Sequence, residues 1–103
     1  MNLTKFLPLT ETTFYIMLAL KEPAHGYIVM QKVEKLSNGK VRIAAGTMYG
    51  ALDNLTKQKL IESVKSEDAR RKVYKLSDAG HEVLKLETMR LRHIIKIAEE
   101  FGF

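Results

Sequence analysis

The residues of this chain whose types could do chemistry fall into three groups. The first is three histidines: His25, His81 and His93 stand far apart in sequence, and no cysteine or HExxH pair accompanies them. A Cys-ligated zinc site and a thiolate nucleophile are both excluded. The second is acidic: Glu67-Asp68 and Glu99-Glu100 read as solvated charges. There is no glycine-rich phosphate loop and no serine with an activating partner. No enzyme activity, metal or cofactor is therefore expected. The third group is basic. Arg70, Arg71 and Lys72 bring three adjacent cations to one short stretch, and such groups pair with phosphate oxygens.

The charge of the whole chain points the same way. Its 103 residues include 17 Lys+Arg and 12 Asp+Glu, a formal +5. The positive charge is concentrated before residue 77: residues 1–60 carry +4, residues 61–76 carry +2, and residues 77–103 carry −1. A basic body with a near-neutral end suits a polyanion partner. The longest apolar run, residues 14–20, is far too short to span a bilayer. It is preceded by Glu11 and followed by no small-residue cleavage site, so it makes a poor signal peptide. A cytoplasmic location is expected, with no membrane partner.

Those basic residues need elements to position them. Thr10 reads as the N-cap of a first helix over residues 10–21, with Glu11 in its first turn. Phe14, Met17 and Leu18 mark its apolar face, and Pro23 stops it. A second helix opens at His25-Gly26-Tyr27 and ends at Leu36, before the turn residues Ser37-Asn38-Gly39. Residues 40–43 read as a short extended piece. A third helix, from Gly46 or Thr47 to Lys59, buries Met48, Ala51, Leu52 and Leu55. Its other face offers Thr47, Tyr49, Gly50, Asp53, Asn54 and Lys57, short or hydrogen-bonding side chains that would let a helix approach base edges closely. Residues 60–66 and 72–76 read as a hairpin joined by a polar loop. Ser77 caps a last helix reaching Phe101, with an apolar face too wide for one small domain to cover.

Three helices followed by a hairpin is the order of a winged helix-turn-helix, in which the third helix enters the major groove and the wing meets the backbone or minor groove. The expected fold is mainly α with a small β-hairpin. Residues 1–76 would form the DNA-binding domain and residues 77–103 a C-terminal dimerisation helix. Candidate DNA-binding residues are Tyr27, Lys40, Arg42, Thr47, Tyr49, Gly50, Asn54, Lys57, Arg70, Arg71 and Lys72. Candidate dimer-interface residues are Leu84, Leu91, Ile94, Ile95, Ala98 and Phe101. The competing reading is a winged helix used for protein–protein interaction without DNA readout.

The motifs also resemble a known family. His25-Gly26-Tyr27, Gly46-Thr47-Met48-Tyr49-Gly50-Ala51-Leu52 and Leu60-Ile61-Glu62 are similar to the PadR-like transcriptional regulators. So is the stretch Arg71-Lys72-Val73-Tyr74-Lys75-Leu76-Ser77-Asp78-Ala79-Gly80. The resemblance covers roughly residues 9–90. It implies a homodimeric cytoplasmic repressor of the compact subgroup, with one dimerisation helix, bound to a near-palindromic double-stranded operator. It also implies release by a small aromatic or drug-like effector. With no tryptophan present, such a pocket would draw on Phe6, Phe14, Tyr15, Met89 or Phe101.

Overall fold

A computed structural model describes residues 2–65 and 71–103. Arg70, a candidate DNA-binding residue, and residues 66–69 lie outside the described residues. After a 3-10 turn at Leu3–Phe6 come helix α1 (Glu11–Ala19), strand β1 (Ala24–His25), helices α2 (Gly26–Leu36) and α3 (Ala45–Lys57), strands β2 (Ile61–Val64) and β3 (Val73–Leu76), and helix α4 (Asp78–Glu100). The described residues thus form a mainly helical fold with a small antiparallel sheet.

The sheet has one strand more than expected. Its order is β1-β3-β2, with Ala24 opposite Tyr74 and His25 opposite Val73 on one edge of β3. On the other edge Val64 faces Val73 and Ile61 faces Leu76. A two-residue strand carries no alternation, so only the free edge of β3 defines it. Residues 40–43, expected to be extended, join no strand. The Ser37 hydroxyl accepts the Val41 N–H at 2.9 Å instead.

Helix α1 buries Ile16, Met17 and Ala19 in the core, with Leu20 just beyond its end, while Leu18, expected on its apolar face, is exposed. It packs between α2 and α4, and the Leu76 N–H of β3 donates to the Leu20 carbonyl at its end (3.1 Å). Val29 and Val33 of α2, Met48, Leu52 and Leu55 of α3, and Tyr74, Leu76 and Val83 complete the core. The third helix stops at Lys57, two residues short of expectation. The Lys59 and Leu60 N–H groups close back on the Thr56 and Leu55 carbonyls, a Schellman motif. Lys59 occupies the left-handed region (φ 63°) that the motif requires.

The N-terminal segment is fastened to α4 by a buried carboxylate. Glu87 is 1 % exposed. It accepts the Leu9 N–H at 2.6 Å and a bidentate pair of hydrogen bonds from Arg90. The Arg90 hydrogen bonds hold its pKa below the ordinary carboxylate range, against burial, which pushes the other way. A depressed folded value stabilises the native state above the ordinary carboxylate range, and that contribution is lost as pH falls through the folded value. Glu87→Ala is expected to cost about 2–3 kcal/mol, because a charged acceptor and its donors lose each other. Glu87→Gln should flatten the acid side of the stability–pH profile. Urea unfolding between pH 7 and 3 measures both.

Past Arg90 the described residues leave most of α4 uncovered, with only Leu91 and Ala98 half-buried. Gly80, Val83 and Glu87 are its buried positions, all in the first half. Ile94, Ile95 and Ile97 stand exposed beyond them. The radius of gyration, 14.7 Å, exceeds the roughly 13 Å of a compact 100-residue domain.

Candidate nucleic-acid interface

Helix α3 is held by Met48, Leu52 and Leu55, so its opposite side faces out. Thr47, Tyr49, Gly50, Asp53, Asn54 and Lys57 are all exposed, as expected. Gly46 and Gly50 lie one turn apart on this outward line, and a Cβ added at either would meet no atom within 4 Å. The backbone of α3 is therefore bare along part of its outer surface.

Tyr49 leans from α3 onto the first turn of α2. A Cβ on Gly26 would sit 2.6 Å from its ring, so any larger residue there would displace the ring. The ring borders a cavity of about 530 Å³ that α2, α3 and β3 enclose. Tyr27, Tyr49, Arg71 and Lys72 all line it. The geometry thus gathers four of the candidate residues, from three separate segments, around one concave surface. It adds His25 and Tyr74, which sequence reasoning missed as contributors, and Asp53, which it placed on the outward face of α3 but not among the candidates. Strand alternation turns Tyr74 inward, and burial, then Asp53, then Tyr49 push its hydroxyl pKa above the ordinary value of 10.0. The phenol stays neutral, able to donate as well as accept.

Other candidates lie apart. Asn54 borders a different cavity on the far flank of α3, against α1 and the N-terminal segment. Lys57 is at the last turn of α3, about 15 Å along the axis from Thr47 at 1.5 Å per residue. Lys40 is exposed, and Arg42 is paired with Glu34 at 3.0 Å. Of the effector-pocket candidates, Phe6 and Met89 line different cavities. On α4, Leu84 packs partly against its own core, Leu91 and Ala98 are half-buried, and Ile94, Ile95 and Phe101 are exposed.

The helix ends divide by position. Thr10 caps α1 and Ser77 caps α4, each side chain accepting an N–H of the first turn. At α2 and α3 the N-cap residues are His25 and Ala44, and neither side chain makes a capping hydrogen bond. A missing cap costs about 1 kcal/mol and leaves first-turn N–H donors for an outside acceptor. The two uncapped helices are those that carry the outward face and the cavity. His25 Nδ1 is buried there without a hydrogen-bond partner. Among the described residues no cluster of His, Asp or Glu could hold a metal, and no helix is long and apolar enough to cross a membrane.

The family model described as the transcriptional regulator PadR-like family matches residues 16–86, well over half the chain. The chain belongs to this family. Solved structures agree in fold. A PadR-like transcription factor from Bacteroides fragilis superposes with a TM-score of 0.73 at 26% identity, over 87% of this chain and 88% of that one. A PadR family regulator from Eggerthella lenta gives 0.71 at 24%, over 87% and 80%. RosR of H. salinarum gives 0.68 at 22%, over 94% and 97%. No curated protein matches the chain in sequence. The PadR match takes in both uncapped helices, the sheet and the first half of α4, so the surface described above lies within the shared fold.

Proposed function

We propose that this PadR-family chain is a sequence-specific regulator that binds double-stranded DNA as a homodimer in the cytoplasm. One observation carries the reading. The two helices whose N-termini no side chain caps are the two that frame the exposed α3 face and the cavity bordered by Arg71 and Lys72. Backbone N–H groups, a neutral phenol and cations suit phosphate oxygens. The bare outer line of α3 at Gly46 and Gly50 suits a helix entering the major groove. In this reading Thr47 and Tyr49 meet base edges or phosphate. Tyr27, Arg71 and Lys72 hold the backbone, and Arg70 is a further phosphate contact. Asn54 and Lys57 contact the far flank, and Lys40 and Arg42 border the groove. Arg42 divides its charge between DNA and Glu34.

The uncovered second half of α4 supports the dimer: Leu91, Ile94, Ile95, Ala98 and Phe101, with Leu84 in the first half, form the interface in this reading. Two α3 helices then stand about 34 Å apart, one turn of a near-palindromic operator. The repressor role and release by a small aromatic effector rest on the family resemblance alone.

A salt titration of DNA affinity tests the reading. Six to ten phosphate contacts per dimer predict a fall of ~10³–10⁵ in affinity between 50 and 200 mM salt. A flat response, with capture of a protein instead of duplex DNA, would favour the protein-interaction module.

A further inference from the structure

The outward face of α3 has a centre line. At 3.6 residues per turn, positions 46, 50, 53 and 57 fall within about 60° of one another on the helix. All four are exposed. The first two are glycines with open space where a side chain would stand. The first side chain along the line is therefore the Asp53 carboxylate, with Lys57 one turn beyond it. Among the described residues no hydrogen bond or ion pair engages that carboxylate.

A carboxylate at this place has consequences for a polyanion partner. In the DNA reading above, this line enters a groove whose walls are phosphate. Beside a phosphate, Asp53 would only repel. The cavity it borders carries the cation of Lys72 next to β3, and phosphate oxygens are drawn to that side. Asp53 is left toward the groove floor, where base edges replace phosphates. Two groups donate hydrogen bonds there: the exocyclic amines of cytosine and of adenine. The adenine amine stands beside the N7 lone pair, which opposes the second carboxylate oxygen. The cytosine amine stands beside a C–H, which does not.

We infer that Asp53 selects cytosine, an inference that rests on the DNA reading above. One carboxylate oxygen accepts the N4 amine of a cytosine at one position of each half-site. Gly46 and Gly50 leave the α3 backbone bare and so permit the close approach. The residue adds discrimination more than affinity. Thymine and guanine present acceptors to a carboxylate, and adenine an acceptor beside its donor, so the three other bases are penalised at that position. The two protomers read the same C·G pair from opposite strands of the near-palindrome.

Selection from a randomised duplex pool tests this, with the parent protein beside Asp53→Asn. Asp53 is exposed, so the substitution leaves the core intact. The parent should enrich sites with one fixed cytosine in each half-site. Thymine at that position should lower its affinity by about 10–100-fold. Asparagine presents a donor and an acceptor, the pair that matches N7 and N6 of adenine. The variant should therefore enrich adenine at that position and keep the rest of the site. A parent site without a fixed cytosine overturns the inference. So does a variant that enriches the parental site unchanged, or that binds every duplex more tightly by a common factor, since the carboxylate then acts only as a repelling charge. Each of these outcomes leaves DNA binding standing. A parent that recovers no duplex from the pool overturns the DNA reading as well.

Discussion

Gly80→Ala is expected to destabilise the protein by about 3–5 kcal/mol, a large part of the total for a small domain. Helix propensity predicts the opposite sign, a gain of about 1 kcal/mol for alanine over glycine within a helix. Packing decides. A Cβ at Gly80 would lie 2.0 Å from the backbone oxygen of Leu60. That oxygen accepts the Ser77 N–H at 3.1 Å, and the Ser77 hydroxyl donates to the neighbouring Lys59 carbonyl at 2.7 Å. Relief would require moving the first turn of α4 off the end of α3 and breaking hydrogen bonds worth about 1 kcal/mol each, besides the strain of overpacking. Gly50→Ala is the control. Its Cβ would meet nothing, so stability should rise by about 0.5–1 kcal/mol while DNA affinity falls, because the methyl stands on the face proposed to enter the groove. Urea unfolding of both variants reads the stabilities. Equal gains at the two positions would contradict the close contact at Gly80.

Ile95→Lys is expected to leave the fold intact and abolish operator binding at working concentrations. Ile95 is 58 % exposed, so a lysine there disturbs no core. In the proposed dimer the same residue lies in the α4 interface, where two ammonium groups would be buried. Loss of the dimer separates the two recognition helices. Linked binding of two half-sites exceeds single-site binding by about 10²–10⁴, and that factor is what should disappear. The choice of lysine matters. It raises the positive charge of the chain, so a simple Coulombic account predicts tighter DNA binding. Sedimentation and gel-shift titration of one preparation distinguish the two. Unchanged dimerisation would remove Ile95 from the interface.

Much of this architecture could be read from local chemistry. Thr10 and Ser77 announce helix starts by side-chain capping, and Asn38 and Gly39 announce a helix end by their tolerance of positive φ (55° and 78°). These signals lie within a few residues of the structure they specify. What stayed hidden depends on distant partners. Strand β1 exists only because β3 offers an edge. Glu87 reads as one more charge on a polar helix until Leu9, 78 residues earlier, supplies its N–H. Gly80 reads as a tolerated weakness in a first turn until Leu60 is seen against it. The same holds for the interface. Helical periodicity assigns Asn54 and Tyr49 to the outer side of α3, but it does not say which flank meets the sheet. Only the packing of α2 and β3 puts Tyr49 and Asp53 at the cavity and Asn54 on the other side.

Hydroxyl-radical footprinting of the purified protein on its own upstream DNA measures the central claim directly. The expected pattern is two protected patches on each strand, one helical turn apart, fading together as salt rises from 50 to 200 mM. Backbone cleavage left uniform at both salt concentrations, with protein in excess, would contradict it.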